Sequence, residues 1–133
     1  MARILVVDDS PTDSHKMMHL LARHGHQVLT AATGSDGIEV ASEEQPDVIL
    51  MDVVMPGING FQATRELTRG HATKHIPVII VSNKAEQADR VWGERQGASG
   101  YLTKPVVDTE ILDVVNTVLV GSCLLYTSDA ADE

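Results

Sequence analysis

Short apolar runs alternate with amphipathic segments along this sequence. Five segments have the apolar, β-branched character of buried strands. They cover residues 4–7, 27–31, 48–51, 78–81 and 100–103. Each is followed by a segment whose apolar residues recur with the helical period of about 3.6 residues. We predict helices over residues 11–24, 35–44, 61–69, 85–96 and from 108 to about 120.

Capping residues and helix breakers fit these boundaries. Ser10 and Pro11 are an N-cap and a first-turn proline for the first helix, and Gly25 is a C-terminal stop. Repeated strand–helix alternation implies parallel strands with right-handed crossovers and helices on both faces of the sheet. The predicted fold class is therefore α/β, a flavodoxin-like doubly wound (βα)5 sandwich with a five-stranded parallel sheet of order 2-1-3-4-5.

The length of 133 residues suits one domain, which we expect to cover residues 1–121. Residues 122–133 break the helical period, and we expect them to be an unstructured or foreign tail. This layout leaves no room for a DNA-binding output module, so we expect any signal to leave through protein contacts.

Composition and charge narrow the class of protein. A formal net charge of -9 argues against a nucleic-acid partner, because binding phosphate backbones requires clustered Lys and Arg. The apolar runs are too short for membrane insertion. Cys123 is the only cysteine, which excludes an internal disulfide and favours a reducing compartment. We expect a cytoplasmic protein.

Polar residues with related chemistry come at the ends of four predicted strands. Asp8 and Asp9 follow the first strand, Asp52 the third, Ser82 the fourth and Lys104 the fifth. In an open parallel sheet the site lies beyond the carboxyl ends of the strands, where the strand order reverses. We therefore expect these side chains to share one edge of the sheet.

The chemistry of this set favours phosphoryl transfer. Carboxylates held close together repel one another and need a cation, and all-oxygen ligands suit Mg²⁺. Lys104 adds a second positive charge, Ser82 a hydroxyl donor, and a carboxylate such as Asp52 can act as a nucleophile. Taken alone, an Asp-Asp pair is usually a solvated turn and Ser82 a helix cap. Their joint occurrence in this order predicts a Mg²⁺-dependent phosphoryl acceptor.

Four stretches carry a family resemblance. They are Ile-Leu-Val-Val-Asp-Asp-Ser at 4–10, Met-Asp-Val-Val-Met-Pro-Gly-Ile-Asn-Gly at 51–60, Val-Ile-Ile-Val-Ser at 78–82 and Gly-Tyr-Leu-Thr-Lys-Pro at 100–105. With these residues the chain resembles the receiver domains of bacterial two-component response regulators, from residue 2 to about residue 120. The segments 60–65 and 91–98 further resemble the small stand-alone receivers of pilus-driven twitching motility and chemotaxis-like pathways.

The resemblance implies a role for each strand-end residue. Asp52 would accept the phosphoryl group, with Ser82 and Lys104 contacting it, and the Lys104-Pro105 bond would be cis. Ser82 and Tyr101 would form a switch, in which the ring turns inward as the hydroxyl moves toward the phosphate. Mg²⁺ would be bound by the side chains of Asp9 and Asp52, by Asp8 directly or through a water, and by the backbone carbonyl of Val54.

The resemblance also implies partners. The phosphoryl donor would be a chemotaxis-type sensor histidine kinase, and the phosphorylated chain would act on a downstream protein target. The chain would hydrolyse its phosphate slowly and would not be a turnover enzyme. Val54 and Lys84 flank the acceptor, and a bulky apolar residue at 54 would hinder the attacking water. We expect a monomer, with dimerisation on phosphorylation left open.

Two alternative functions stay open. The chain could drain phosphate from a shared kinase instead of acting on a target of its own. It could also be a flavodoxin-like cofactor-binding domain, which has the same topology. That class needs backbone amides presented to a phosphate after the first strand, whereas Asp8 and Asp9 at this place repel bare phosphate.

Overall fold

Strands and helices alternate throughout the chain. The computed structural model describes the backbone of residues 2–84 and 86–131, and the side chains of these residues up to Val120. The strands are β1 (Arg3–Val7), β2 (Gln27–Ala31), β3 (Val48–Met51), β4 (Val78–Ser82) and β5 (Gly100–Thr103). The helices are α1 (Pro11–Arg23), α2 (Gly34–Glu44), α3 (Gly60–Arg69), α4 (Gln87–Arg95) and α5 (Asp108–Ala131).

The strands form one parallel sheet of order β2-β1-β3-β4-β5, which confirms the predicted topology. The strand order reverses between β1 and β3. In the register of these two strands Val7 lies opposite Met51, so both strands end at the same level. The residues that follow them, Asp8 and Asp52, therefore leave the sheet side by side.

Both faces of the sheet are covered. Successive side chains of a strand point to opposite faces, so an apolar run without alternation supplies two cores. Ile4, Val6, Leu50, Ile79 and Val81 pack under α1 and α5. On the other face a second core lies under α2 and α3, and its strand residues are Leu5, Val7, Ile49, Met51 and Val78. Burying each such side chain contributes about 1.5–3 kcal/mol.

Local sequence fixes where α1 begins and ends. The Ser10 hydroxyl accepts a hydrogen bond from the backbone N–H of Asp13 at 3.3 Å, and Pro11 occupies the first turn. After the helix, Gly25 adopts a φ of +87°, a conformation that costs glycine little. The start of α1, which adjoins the edge with the acidic residues, is therefore set by its own cap.

Two helices differ from the sequence prediction. Helix α4 is shorter at both ends than the predicted range 85–96. The backbone of α5 stays helical to Ala131, although we expected the helix to end near Gly121. The sequence after Gly121 contains no proline and several Leu and Ala residues, which favour helix. The side chains of this stretch and residues 132–133 lie outside the described part, so the domain division at 121 and a foreign origin for 122–133 stay predictions.

Among residues 2–84 and 86–131, no helix is both long enough and apolar enough to cross a bilayer.

Candidate functional site

Three carboxylates meet beyond the ends of β1 and β3. Ligand oxygens of Asp8, Asp9 and Asp52 all lie within 4.8 Å of one another. Asp8 and Asp52 are largely buried, with 9% and 8% of their surface exposed, whereas Asp9 is exposed. The topology brings these residues together, because β1 and β3 are neighbours in the sheet and 44 positions separate Asp8 from Asp52 along the chain. The cluster could hold a metal ion.

The environment of Asp52 disfavours its negative charge. Burial raises the pKa of Asp52 to about 6, and the charges of Asp8 and Asp9 add to the effect. The Lys104 ammonium and the backbone N–H of Val53, which donates to Asp52 Oδ1 at 2.8 Å, act in the opposite direction. A divalent cation with oxygen ligands would relieve this repulsion, so the donor set fits Mg²⁺.

The Lys104 ammonium lies beside the same carboxylate cluster. Its Nζ lies 2.9 Å from Asp8 Oδ2, 2.9 Å from Asp13 Oδ2 and 3.6 Å from Asp52 Oδ2. Burial by itself would lower the pKa of the Lys104 ammonium, but its hydrogen bonds to Asp13 and Asp8 and the nearby charge of Asp52 raise it overall. Lys104 therefore stays protonated and positively charged beside the carboxylates.

Ser82 and Lys104 are joined through the backbone. Ser82 ends β4 and is fully buried, and its carbonyl accepts a hydrogen bond from the Lys104 N–H at 2.9 Å. The Ser82 hydroxyl oxygen accepts from the Lys84 N–H at 3.1 Å, which leaves its own hydrogen to be donated elsewhere. The Lys104-Pro105 peptide bond is cis, as the family resemblance implies.

Tyr101 lies in β5 with its ring half-buried. Its hydroxyl donates a hydrogen bond to the backbone carbonyl of Lys84 at 2.5 Å. The Arg90 guanidinium lies 5.4 Å from the ring centre and donates to the Thr103 hydroxyl at 2.9 Å. Gly93 leaves room for the ring, because a Cβ there would stand 3.2 Å from it. A movement of Tyr101 on phosphorylation stays a prediction.

Val54 lies in the loop between β3 and α3, and the residue is 63% exposed. It follows Asp52 by two residues in the chain. Whether its carbonyl binds the metal stays a prediction from the family resemblance, as do the individual roles of the other site residues.

The sequence prediction does not include Asp13 among the site residues. It lies at the third helical position, where acidic residues commonly offset the helix dipole. A signal was available in the sequence, since Asp13 closely follows Asp8 and Asp9 and so starts a helix at the same edge. Its contact with Lys104 spans 91 positions of the chain and depends on the fold.

Comparisons with known proteins show the family and support the fold. Residues 4–116 match the response regulator receiver domain family. The chain is 59% identical to protein PilH of Pseudomonas aeruginosa over 121 residues, which is 91% of this chain and all of PilH. It is 38% identical to response regulator PleD of Caulobacter vibrioides over 88% of this chain but only 26% of PleD. The structure of chemotaxis protein CheY4 from Vibrio cholerae superposes with a TM-score of 0.84 and 31% identity, covering 90% of this chain and 99% of CheY4.

Proposed function

This chain belongs to the response regulator receiver domain family, and on that premise we propose that Asp52 accepts a phosphoryl group and thereby switches a protein-binding surface. One observation carries the proposal. The carboxylates of Asp8, Asp9 and Asp52 form a single cluster within 4.8 Å, and the Lys104 ammonium faces the same cluster. This arrangement combines an acidic nucleophile with positive charge for an incoming phosphoryl group.

The metal we propose is Mg²⁺. The side chains of Asp8, Asp9 and Asp52 would hold it, with the Val54 carbonyl as a fourth protein ligand. When bound, Mg²⁺ supplies positive charge that offsets the charge of the carboxylates and of the phosphoryl oxygens. The fit rests on the spacing and the all-oxygen character of the cluster.

Each side chain of the site has its own role in the proposed phosphoryl transfer. An Asp52 carboxylate oxygen forms a bond to phosphorus as the phosphorus–nitrogen bond of a phosphohistidine breaks. The imidazole nitrogen leaves with the bonding electron pair and takes up a proton from solvent. Lys104 orients and neutralises a phosphoryl oxygen, and the Ser82 hydroxyl donates to another. Each of these roles uses a group that borders the same edge of the sheet.

The switch we propose begins at Ser82. Its hydroxyl moves toward the phosphoryl group, and the contacts of Tyr101 with Lys84 and Arg90 change in response. The affected surface is formed by α4, β5 and the start of α5. Several large apolar side chains are exposed there and would meet a partner protein, namely Val91, Trp92 and Val107.

The pathway we propose is twitching motility or chemotaxis-like signalling, with a chemotaxis-type histidine kinase as donor. The 59% identity to PilH over its whole length supports this choice. Draining phosphate from a shared kinase is the alternative role of the same reaction. We propose that the chain accepts one phosphoryl group, hydrolyses it slowly and is not a turnover enzyme. A cytoplasmic location is supported by the single cysteine of the sequence.

Phosphorylation of the purified chain tests the proposal. We expect acetyl phosphate with Mg²⁺ to add one phosphoryl group to the wild type, seen by intact-protein mass spectrometry. Hydroxylamine should remove the group, because an acyl phosphate is cleaved by it and a phosphoserine at Ser82 would not be. EDTA should prevent the reaction.

A matched pair of variants completes this experiment. Asp52→Asn should take up no phosphoryl group, whereas Asp36→Asn, which changes an exposed carboxylate in the first turn of α2, should react like the wild type. Labelling of Asp52→Asn at the wild-type level would refute Asp52 as the acceptor. A pull-down with and without beryllofluoride then distinguishes an output role, which needs a state-dependent partner, from a phosphate sink.

A further inference from the structure

The Lys104 ammonium is shared unequally among three carboxylates. An ammonium has three N–H donors. Two of them are used at 2.9 Å by Asp8 Oδ2 and Asp13 Oδ2, whereas Asp52 Oδ2 lies at 3.6 Å, beyond an ordinary hydrogen bond. At rest Lys104 is therefore bonded to Asp13 and only close to the acceptor.

Asp13 is held in a position from which its carboxylate can attract the Lys104 ammonium toward solvent. Its position at the start of α1 is fixed by the Ser10 cap, which bonds the Asp13 N–H. The Asp13 side chain is 43% exposed and that of Lys104 13%, so Asp13 lies on the solvent side of the ammonium. The acidic cluster that could hold a metal comprises Asp8, Asp9 and Asp52 among the described residues. Asp13 stands beside this cluster as a separate negative charge.

Lys104 also has space in which to move. A cavity of about 170 Å³ lies between α1, α5 and the sheet edge and reaches Asp13, Asp52 and Lys104. Apolar side chains such as Met17 and Leu20 also line it. The flexible Lys104 stem can shift within this space without displacing packed core residues.

We propose that Asp13 is a positioning residue that competes with the phosphoryl group for Lys104. At rest its carboxylate holds the ammonium away from Asp52. During transfer the ammonium moves toward a phosphoryl oxygen at Asp52, which weakens its hydrogen bond to Asp13, and this loss slows the transfer. This inference rests on the function proposed above and concerns the rate of that reaction.

The expected change in the phosphorylation rate follows from the exposure of the ion pair between Asp13 and Lys104. A partly exposed ion pair is worth at most about 1 kcal/mol, which corresponds to a rate change of about two- to fivefold. Asp13→Asn keeps the shape of the side chain and removes its charge, so we expect phosphorylation by acetyl phosphate to be about two- to fivefold faster than in the wild type. Asp13→Glu keeps the charge, and its rate should stay close to that of the wild type.

A matched control separates this role from helix stability. Asp36 occupies the same first-turn position of α2, where its N–H bonds the Thr33 cap at 3.1 Å. Asp36→Asn should lose some thermal stability, as Asp13→Asn does, since both remove a charge that favours a helix start. Only Asp13→Asn should accelerate phosphorylation.

A double-mutant cycle with Lys104 completes the test. In a Lys104→Ala background, Asp13→Asn should no longer accelerate the slow residual reaction. Persistence of the acceleration there would show that Asp13 acts by general repulsion and would overturn the inference. The inference would also be overturned if the wild type is phosphorylated and Asp13→Asn reacts at the same rate or more slowly. Absence of phosphorylation in the wild type would instead overturn the proposed function together with this inference.

Discussion

The backbone oxygen of Asp52 and the α-carbon of Gly60 are in direct contact. A Cβ atom at Gly60 would overlap that oxygen and would stand 2.7 Å from the Cα of Val53. The same two segments are joined by a hydrogen bond from the Gly60 N–H to the Val53 carbonyl at 2.8 Å. The first residue of α3 therefore packs directly on the loop that carries the acceptor.

Gly60→Ala should destabilise the protein and disturb the site together. The methyl group meets backbone atoms, which cannot turn aside as a flexible side chain can, so we expect a loss of about 1–3 kcal/mol in the free energy of unfolding. Denaturant melts measure this loss. Gly100→Ala is the control, because a Cβ there meets its neighbours at 3.5–3.7 Å, an ordinary contact distance. Equal stability for the two variants would contradict the close contact.

Asp52→Asn should stabilise the metal-free protein at neutral pH. Burial raises the pKa of Asp52 from 3.8 to about 6, so the folded state holds its proton at a pH where the unfolded state has lost it. The stability of the wild type therefore falls as pH rises from about 4 to about 6, and Asn removes this fall. We expect a gain of about 1–2 kcal/mol above pH 6, less than the full shift because water reaches the site.

Thermal melts in EDTA across this pH range measure the gain, which should vanish below a pH of about 4. Added Mg²⁺ should reverse the order, since it stabilises only a protein that keeps the acidic cluster intact. A gain that stayed constant at all pH values would argue against a raised pKa for Asp52.

Val54→Asn should shorten the lifetime of the phosphorylated state. Val54, two residues after Asp52, is 63% exposed, and its apolar side chain cannot form a hydrogen bond with a water molecule. An amide there can orient a water toward phosphorus, so we expect decay of phospho-Asp52 to become severalfold faster. The rate is read from the loss of the phosphorylated mass after the donor is removed. Val54→Leu, which stays apolar, should decay as slowly as the wild type, and identical lifetimes for all three would end the proposal.

The sequence alone determined the architecture and most of the site. Continuous apolar runs such as Val48–Met51 predict strands buried on both faces, because their periodicity is a local property of the chain. The carboxyl ends of parallel strands share one edge, so the sequence pattern alone predicts that Asp8 and Asp52 lie close together. The structure confirms this proximity and the sheet order.

Only the tertiary structure decided how the charges are shared. Asp13 is an ordinary first-turn acid in the sequence, and the fold brings it to 2.9 Å from Lys104, 91 positions away. The contact of Gly60 with Asp52 and the Arg90 guanidinium over Tyr101 likewise depend on how helices settle on the sheet. Residue periodicity fixes which face of an element is buried. Ångström distances between side chains from different elements follow only from their packing.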